Sequence, residues 1–199
     1  MQPKNLHFKS ESAFDNYQEP VENMLTNSEN GLKELMTSVL NDLHWSEQKL
    51  LNHLPRLIRH AKTCVLIEAL AELMEETKNH LKVLSFGYSN LEMKPIKNES
   101  MSVSEFLIET NEILKRYEKG NELDKALIAA IQKLKRFEIA SYFSLSTLAL
   151  KLEEQELAQI FQKNANIETE VWNMLQLVFK DLQSNLAEYE KERHLVKLL

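Results

Sequence analysis

The sequence predicts an all-α protein built as a bundle of four long helices, and three observations predict it. Turn formers are scarce: the 199 residues include 3 Gly and 4 Pro, too few for a β-sandwich or a loop-rich α/β protein. Leu, Glu and Lys are the most frequent residues, all good helix formers. Apolar residues recur at spacings of three and four along four long stretches, which places them on one face of a helix in each. A chain of this length suits one domain with a sizeable core.

Residues 1–28 are polar and lack a helical period, and they read as an N-terminal arm. Residues 29–199 read as the bundle with an extended C-terminal helix. The first long helix starts near Gly31, after cap candidates at Ser28–Asn30, with a stripe of Leu32, Leu35, Met36, Val39, Leu43, Leu50, Leu54 and Leu57. The second covers about 63–90, with Leu66, Ala69, Leu70, Leu73, Leu81 and Leu84, and stops at Gly87-Tyr88-Ser89-Asn90. A connection through Pro95 leads to a short helix from about Ser102 to Tyr117, ended by Lys119-Gly120-Asn121. The third long helix spans about 122–152, with Leu127, Ile131, Leu134, Tyr142, Leu145 and Leu148 inward. The fourth starts near Glu154 and runs past Glu190, with Leu157, Phe161, Val171, Leu175, Val178 and Leu182. One long crossover between the second and third long helices is the ferritin-like topology.

Charge and cysteine content narrow the function. The net charge is -6 with both signs interspersed, and no basic stripe marks a nucleic-acid partner. No apolar run approaches the ~18 residues of a membrane span, and with no apolar h-region behind Met1-Gln2-Pro3-Lys4-Asn5 no signal peptide is expected. Cys64 is the only cysteine, so an intrachain disulfide is excluded and the reducing cytoplasm is the expected setting. There is no Gly-rich phosphate loop and no G-x-S-x-G nucleophile.

Acidic residues interrupt the stripes. Glu47 lies between Leu43 and Leu50, Glu138 between Leu134 and Tyr142, and Glu168 between Phe161 and Val171. Glu75 sits beside the Met74, Lys78, Leu81 ridge of the second helix. A single glutamate on a stripe ordinarily reaches water at the boundary. One in each of four helices matches the carboxylate supply of a di-iron bundle, in which two helices each give a Glu and two give Glu-x-x-His. The histidines do not follow that order: Lys78 comes three residues after Glu75, and Val171 three after Glu168. His44 and His80 stand nearby without the spacing.

Several of these stretches resemble the YciE/YciF stress-protein family. Ala126-Leu127-Ile128-Ala129-Ala130, then Gln132-Lys133 and Phe137-Glu138-Ile139-Ala140-Ser141-Tyr142, are similar to the family's AAQKVEHYEIASYGTL. Asp42 through Leu50, DLHWSEQKL, is similar to DxYSAEKQL, and Leu73-Met74-Glu75-Glu76-Thr77 to LEETH. The segment Glu105-Phe106-Leu107-Ile108-Glu109 also fits, and the resemblance covers about 32–175. It implies a ferritin-like, dimeric bundle whose possible di-iron ligands map onto Glu47, Glu75, Glu138 and Glu168. The chain departs from the pattern where Lys78 replaces a histidine and where Lys135-Arg136 replace a glutamate and a histidine.

Lys78 and Lys135 stand at i, i+3 from Glu75 and Glu138 and so can form ion pairs in place of metal contacts. A protonated lysine cannot ligate a metal and repels one. The expectation is therefore a non-catalytic, ferritin-like stress or assembly protein. Its carboxylate site, Glu47, Glu75, Glu138 and Glu168 with Lys78 and Lys135, is a candidate or vestigial metal site without a cofactor. It would act through homo-oligomer contacts made by the arm or the end of the last helix. The alternatives are an iron or manganese carboxylate oxidoreductase, peroxidase- or ferroxidase-like, and a helical adaptor for another protein. No catalytic residue is assigned.

Overall fold

The computed structural model describes residues 29–96 and 100–196, with side chains over 30–96 and 100–183. The predicted arm, 1–28, lies outside the described residues. These form five helices in chain order: α1 (Glu29–His60), α2 (Cys64–Asn90), α3 (Met101–Arg116), α4 (Asn121–Lys151) and α5 (Gln155–Val196). Among the described residues there is no strand, and no described helix is long and apolar enough to cross a membrane.

Each long helix buries a 3/4-spaced stripe. In α1 it is Met36, Leu40, Leu43, Glu47, Leu50, Leu54 and Leu57, all fully buried. In α2 it is Leu66, Leu70, Leu73, Thr77, His80, Leu84 and Tyr88. That alternation is the knobs-into-holes seam of a helical bundle. The stripes join in two apolar clusters. The lower gathers Leu50, Leu54 and Leu57 of α1 with Leu66–Leu73 of α2, Leu123–Leu134 of α4 and Val171–Leu182 of α5. The upper gathers Met36–Leu43, Leu84 and Tyr88, Tyr142–Ala149, and Leu157–Ala165.

This pairing fixes the helix directions. The start of α1 meets the end of α2 and the end of α4, so α1 runs antiparallel to both, and α5 runs antiparallel to α4 and α2. The chain therefore leaves α2 at the upper end and must enter α4 at the lower end. A parallel pair needs such a full-length crossover, and residues 91–120 supply it with α3. Asn41 Oδ1 anchors its start by accepting from the Tyr88 hydroxyl (2.7 Å) and the Ile96 amide (2.9 Å). Then α3 lies along the lower half of α1, where Ser46 donates to Ser100 (3.0 Å) and His53 meets Thr110 (2.9 Å).

The end of α2 at Asn90 falls within the stop read from Gly87-Tyr88-Ser89-Asn90. Gly87 itself lies buried inside the helix, where an added Cβ would stand 3.1 Å from Phe161 Cζ, so a side chain would push against α5. Asp124, one of two acids in the first turn of α4, is fully buried. It accepts from the Lys62 amide (3.0 Å), the Thr63 amide (2.8 Å) and the Thr63 hydroxyl (2.8 Å). A carboxylate there satisfies orphan donors at the start of α2.

Candidate functional site

Between the two apolar clusters lies a polar layer with one or two groups from each long helix: Glu47 of α1, His80 of α2, Lys135, Glu138 and Tyr142 of α4, and Glu168 of α5. None is more than 2% exposed. Lys135 Nζ stands 2.7 Å from Glu138 Oε2 and 2.7 Å from Glu168 Oε2. His80 Nδ1 stands 3.1 Å from Glu47 Oε1 and 3.1 Å from Glu168 Oε1. Both neighbours of Nδ1 are carboxylate oxygens, so Nδ1 carries the hydrogen. The Tyr142 hydroxyl donates to Glu47 Oε1 at 3.5 Å, and its ring lies 5.3 Å from that of His80. Glu168 thus bridges the two cations, with one oxygen toward each.

Burial alone would strip charge from these groups. It works against the Lys135 ammonium, but Glu138, Glu168 and Glu47 outweigh it and hold the amine protonated. Burial likewise opposes a charged His80, and Glu47 and Glu168 reverse it, lifting the imidazole above its ordinary value against repulsion from Lys135. For Glu138 burial dominates, pushing its carboxyl well above the usual range despite Lys135. Burial also keeps Tyr142 neutral. Lys135 and His80 thus face the carboxyl groups of Glu47, Glu138 and Glu168 within one layer. Half-buried Glu76 lies at its edge, its carboxyl raised by burial against the pull of Lys135.

Of the sequence-predicted residues, Glu47, Glu138, Glu168 and Lys135 come together here. Glu75 and Lys78 do not. They pair with each other at 2.6 Å on the outer face of α2, with side chains 65% and 43% exposed. The reason is helical phase. At 100° per residue, Glu75 points about 200° away from the Leu73 position, whereas Thr77 and His80 continue its face. Sequence reasoning set His80 aside because it looked for a Glu-x-x-His spacing. The 3/4 alternation Leu66, Leu70, Leu73, Thr77, His80, Leu84 was the signal that would have found it. Nothing local marked Asp124, whereas Tyr142 read from the sequence as a core residue or a redox neighbour of a metal site.

The metal pair that the ferritin-like fold implies does not fit these residues. Lys135 holds its ammonium against both Glu138 and Glu168, and it offers a positive charge where a second ion would need a ligand. No Glu-x-x-His exists in α2 or α5. Glu47, His80 and Glu168 do present three ligand atoms within 4.8 Å of one another, the donor count for one cation. Glu47 Oε2 has no hydrogen-bond partner among the described residues.

Comparison with known proteins agrees with this architecture. The chain is 30% identical to protein YciF of Escherichia coli (strain K12) over 135 residues, 66% of this chain and 80% of that protein. The crystal structure of the E. coli stress protein YciF superposes with a TM-score of 0.73 at 25% identity, covering 77% of this chain and 97% of that one. YcfI from Rhodopseudomonas palustris superposes with a TM-score of 0.68 at 25% identity, covering 73% and 92%. A Xanthomonas campestris protein shares the fold at 18% identity, with a TM-score of 0.62 over 80% of this chain and 98% of that one. Residues 31–187 match the family described as a domain of unknown function, DUF892. With that match over most of its length, the chain belongs to the DUF892 family, as a YciF-like, ferritin-like helical bundle.

Proposed function

We propose that this protein is a non-catalytic, stress-associated bundle whose metal-free charge layer replaces a metal centre and which works through contacts between copies of itself. The single observation that carries the reading is Lys135, fully buried and 2.7 Å from carboxylates on α4 and α5. A fixed ammonium relieves the repulsion between converging carboxylates that a metal would otherwise relieve. It leaves no open coordination position between Glu138 and Glu168 for a substrate or oxygen. The stress association rests on the E. coli relative, which is named a stress protein. The cytoplasmic setting rests on a lone cysteine with no partner for an intrachain disulfide.

Elemental analysis of protein purified without chelators tests the first half of this reading. The expected result is far less than one iron or manganese per chain, and near-stoichiometric metal would overturn it. A second reading, one divalent cation on Glu47, His80 and Glu168, is favoured by their 4.8 Å cluster and would show as one metal per chain. Size-exclusion chromatography with light scattering tests the assembly half. An oligomer is expected, and a monomer at micromolar concentration would remove that part of the proposal.

A further inference from the structure

The groove between α1 and α4 is covered along only half its length. At its lower half α3 fills it, burying Val103 and Phe106. Ser46, near the middle of α1, already meets Ser100 at the start of α3, so α3 does not reach the upper half. There the groove is open, with a volume of about 370 Å³ lined by Leu35, Val39, Phe143, Thr147, Leu148 and Lys151. Leu35 and Phe143 are each 41% exposed. The exposed positions of α4 beside it, Ala140, Phe143, Ser144, Thr147 and Leu150, carry no charge until Lys151. A surface helix normally turns charged residues outward, and loss of charge marks a covered face.

We propose that this open half-groove is the seat of the chain's own N-terminal arm, with residues 14–25 covering it as α3 covers the other half. The arm joins α1 at Glu29, six residues before Leu35, or about 9 Å along the helix axis. It therefore arrives at the mouth of the groove and has only to double back. Twelve extended residues reach up to about 40 Å, against about 12 Å of helix axis between Phe143 and Lys151. Residues 14–25 bring Phe14, Tyr17, Val21, Met24 and Leu25 for the apolar floor. From Ser10 to Ser28 the arm holds four acids, Glu11, Asp15, Glu19 and Glu22, and no Lys or Arg. Lys151, at the groove's end, offers the opposite sign. A second copy is the weaker occupant, because each chain carries its own arm to this groove at a high effective concentration. The family match begins at residue 31, so the arm is an addition to the domain.

The test uses the full-length chain with Phe143→p-benzoylphenylalanine, irradiated and mapped by mass spectrometry on a mixture of isotope-labelled and unlabelled chains. The expected product joins position 143 to a peptide within residues 10–28 of the same chain. In the same background Lys151→Glu should lower its yield roughly threefold, the size of one partly exposed charge contact. Absence of an arm product overturns the proposal, as does a product joining two chains, whether through α4 or through a swapped arm. Deleting residues 1–27 should raise binding of a hydrophobic dye, and unchanged dye binding also counts against it. The buried charge layer has no part in this docking, so metal found there would leave the proposal standing.

Discussion

Lys135 on α4 and Glu168 on α5 form a fully buried ion pair, Nζ to Oε2 2.7 Å, at the boundary between the two apolar clusters. Breaking such a pair leaves the partner charge without compensation, which costs about 3–5 kcal/mol. Lys135→Met should therefore lower stability by that amount in urea unfolding, and Glu168→Gln in the same chain should recover part of the loss. Lys78→Met should change stability by less than about 0.5 kcal/mol, because the Lys78–Glu75 pair faces solvent. Equal losses for the two lysine variants would show that the buried pair is not the stabilising one.

His80 makes stability depend on pH in a direction that follows from its surroundings. Glu47 and Glu168 lift its folded-state value above the ordinary 6.5, despite burial and Lys135. A base raised on folding binds its proton more tightly in the native state. Its contribution is then fully present below about 6.5 and is lost as pH rises through the raised value. The stability difference between the unmodified protein and His80→Gln should shrink as pH climbs from 6 toward alkaline conditions. A difference that grows over that range would reverse the assigned sign.

Asp124 holds the α1–α2 turn to α4 through three hydrogen bonds. Asp124→Ala should cost about 2 kcal/mol, the upper end for loss of a helix-end acceptor. Amide hydrogen exchange should locate the loosening at Lys62 and Thr63. Protection there that matches the unmodified protein would show that other groups hold the turn.

Metal uptake should separate the two lysines. Lys135→Gln removes the ammonium from between Glu138 and Glu168, and iron or manganese content after loading should rise. Lys78→His should leave it unchanged, since position 78 lies on the outer surface of α2. Uptake that rises with Lys78→His and not with Lys135→Gln would return the site to the arrangement read from the motif alone.

Periodicity by itself determined the helices of this protein, most of their core faces and the long crossover; Leu35, read as part of the first stripe, is 41% exposed, and Leu81 of the second is only partly buried. The faces follow from local spacing, since Leu43, Glu47 and Leu50 share a face wherever the helix packs, and the crossover shows in the chain itself, since residues 91–120 are far more than a turn between α2 and α4 needs. Even the burial of Glu138 was legible, because Leu134 and Tyr142 bracket it. The charge layer was legible only in part. Glu75 and His80 belong to one helix, and a motif frame anchored on Glu75 selected the wrong face of it. The phase of α2 settled which of the two turns inward, and 100° per residue leaves no compromise between them. Only the tertiary structure decided that Lys135 turns from its own helix toward Glu168 of the next, and that His80 reaches both Glu47 and Glu168. Those contacts join residues 33 to 88 positions apart along the chain, and their strength depends on burial by all four helices at once. Such a charge is stable inside a protein only when its partners arrive with it, and no single stretch of sequence carries that condition.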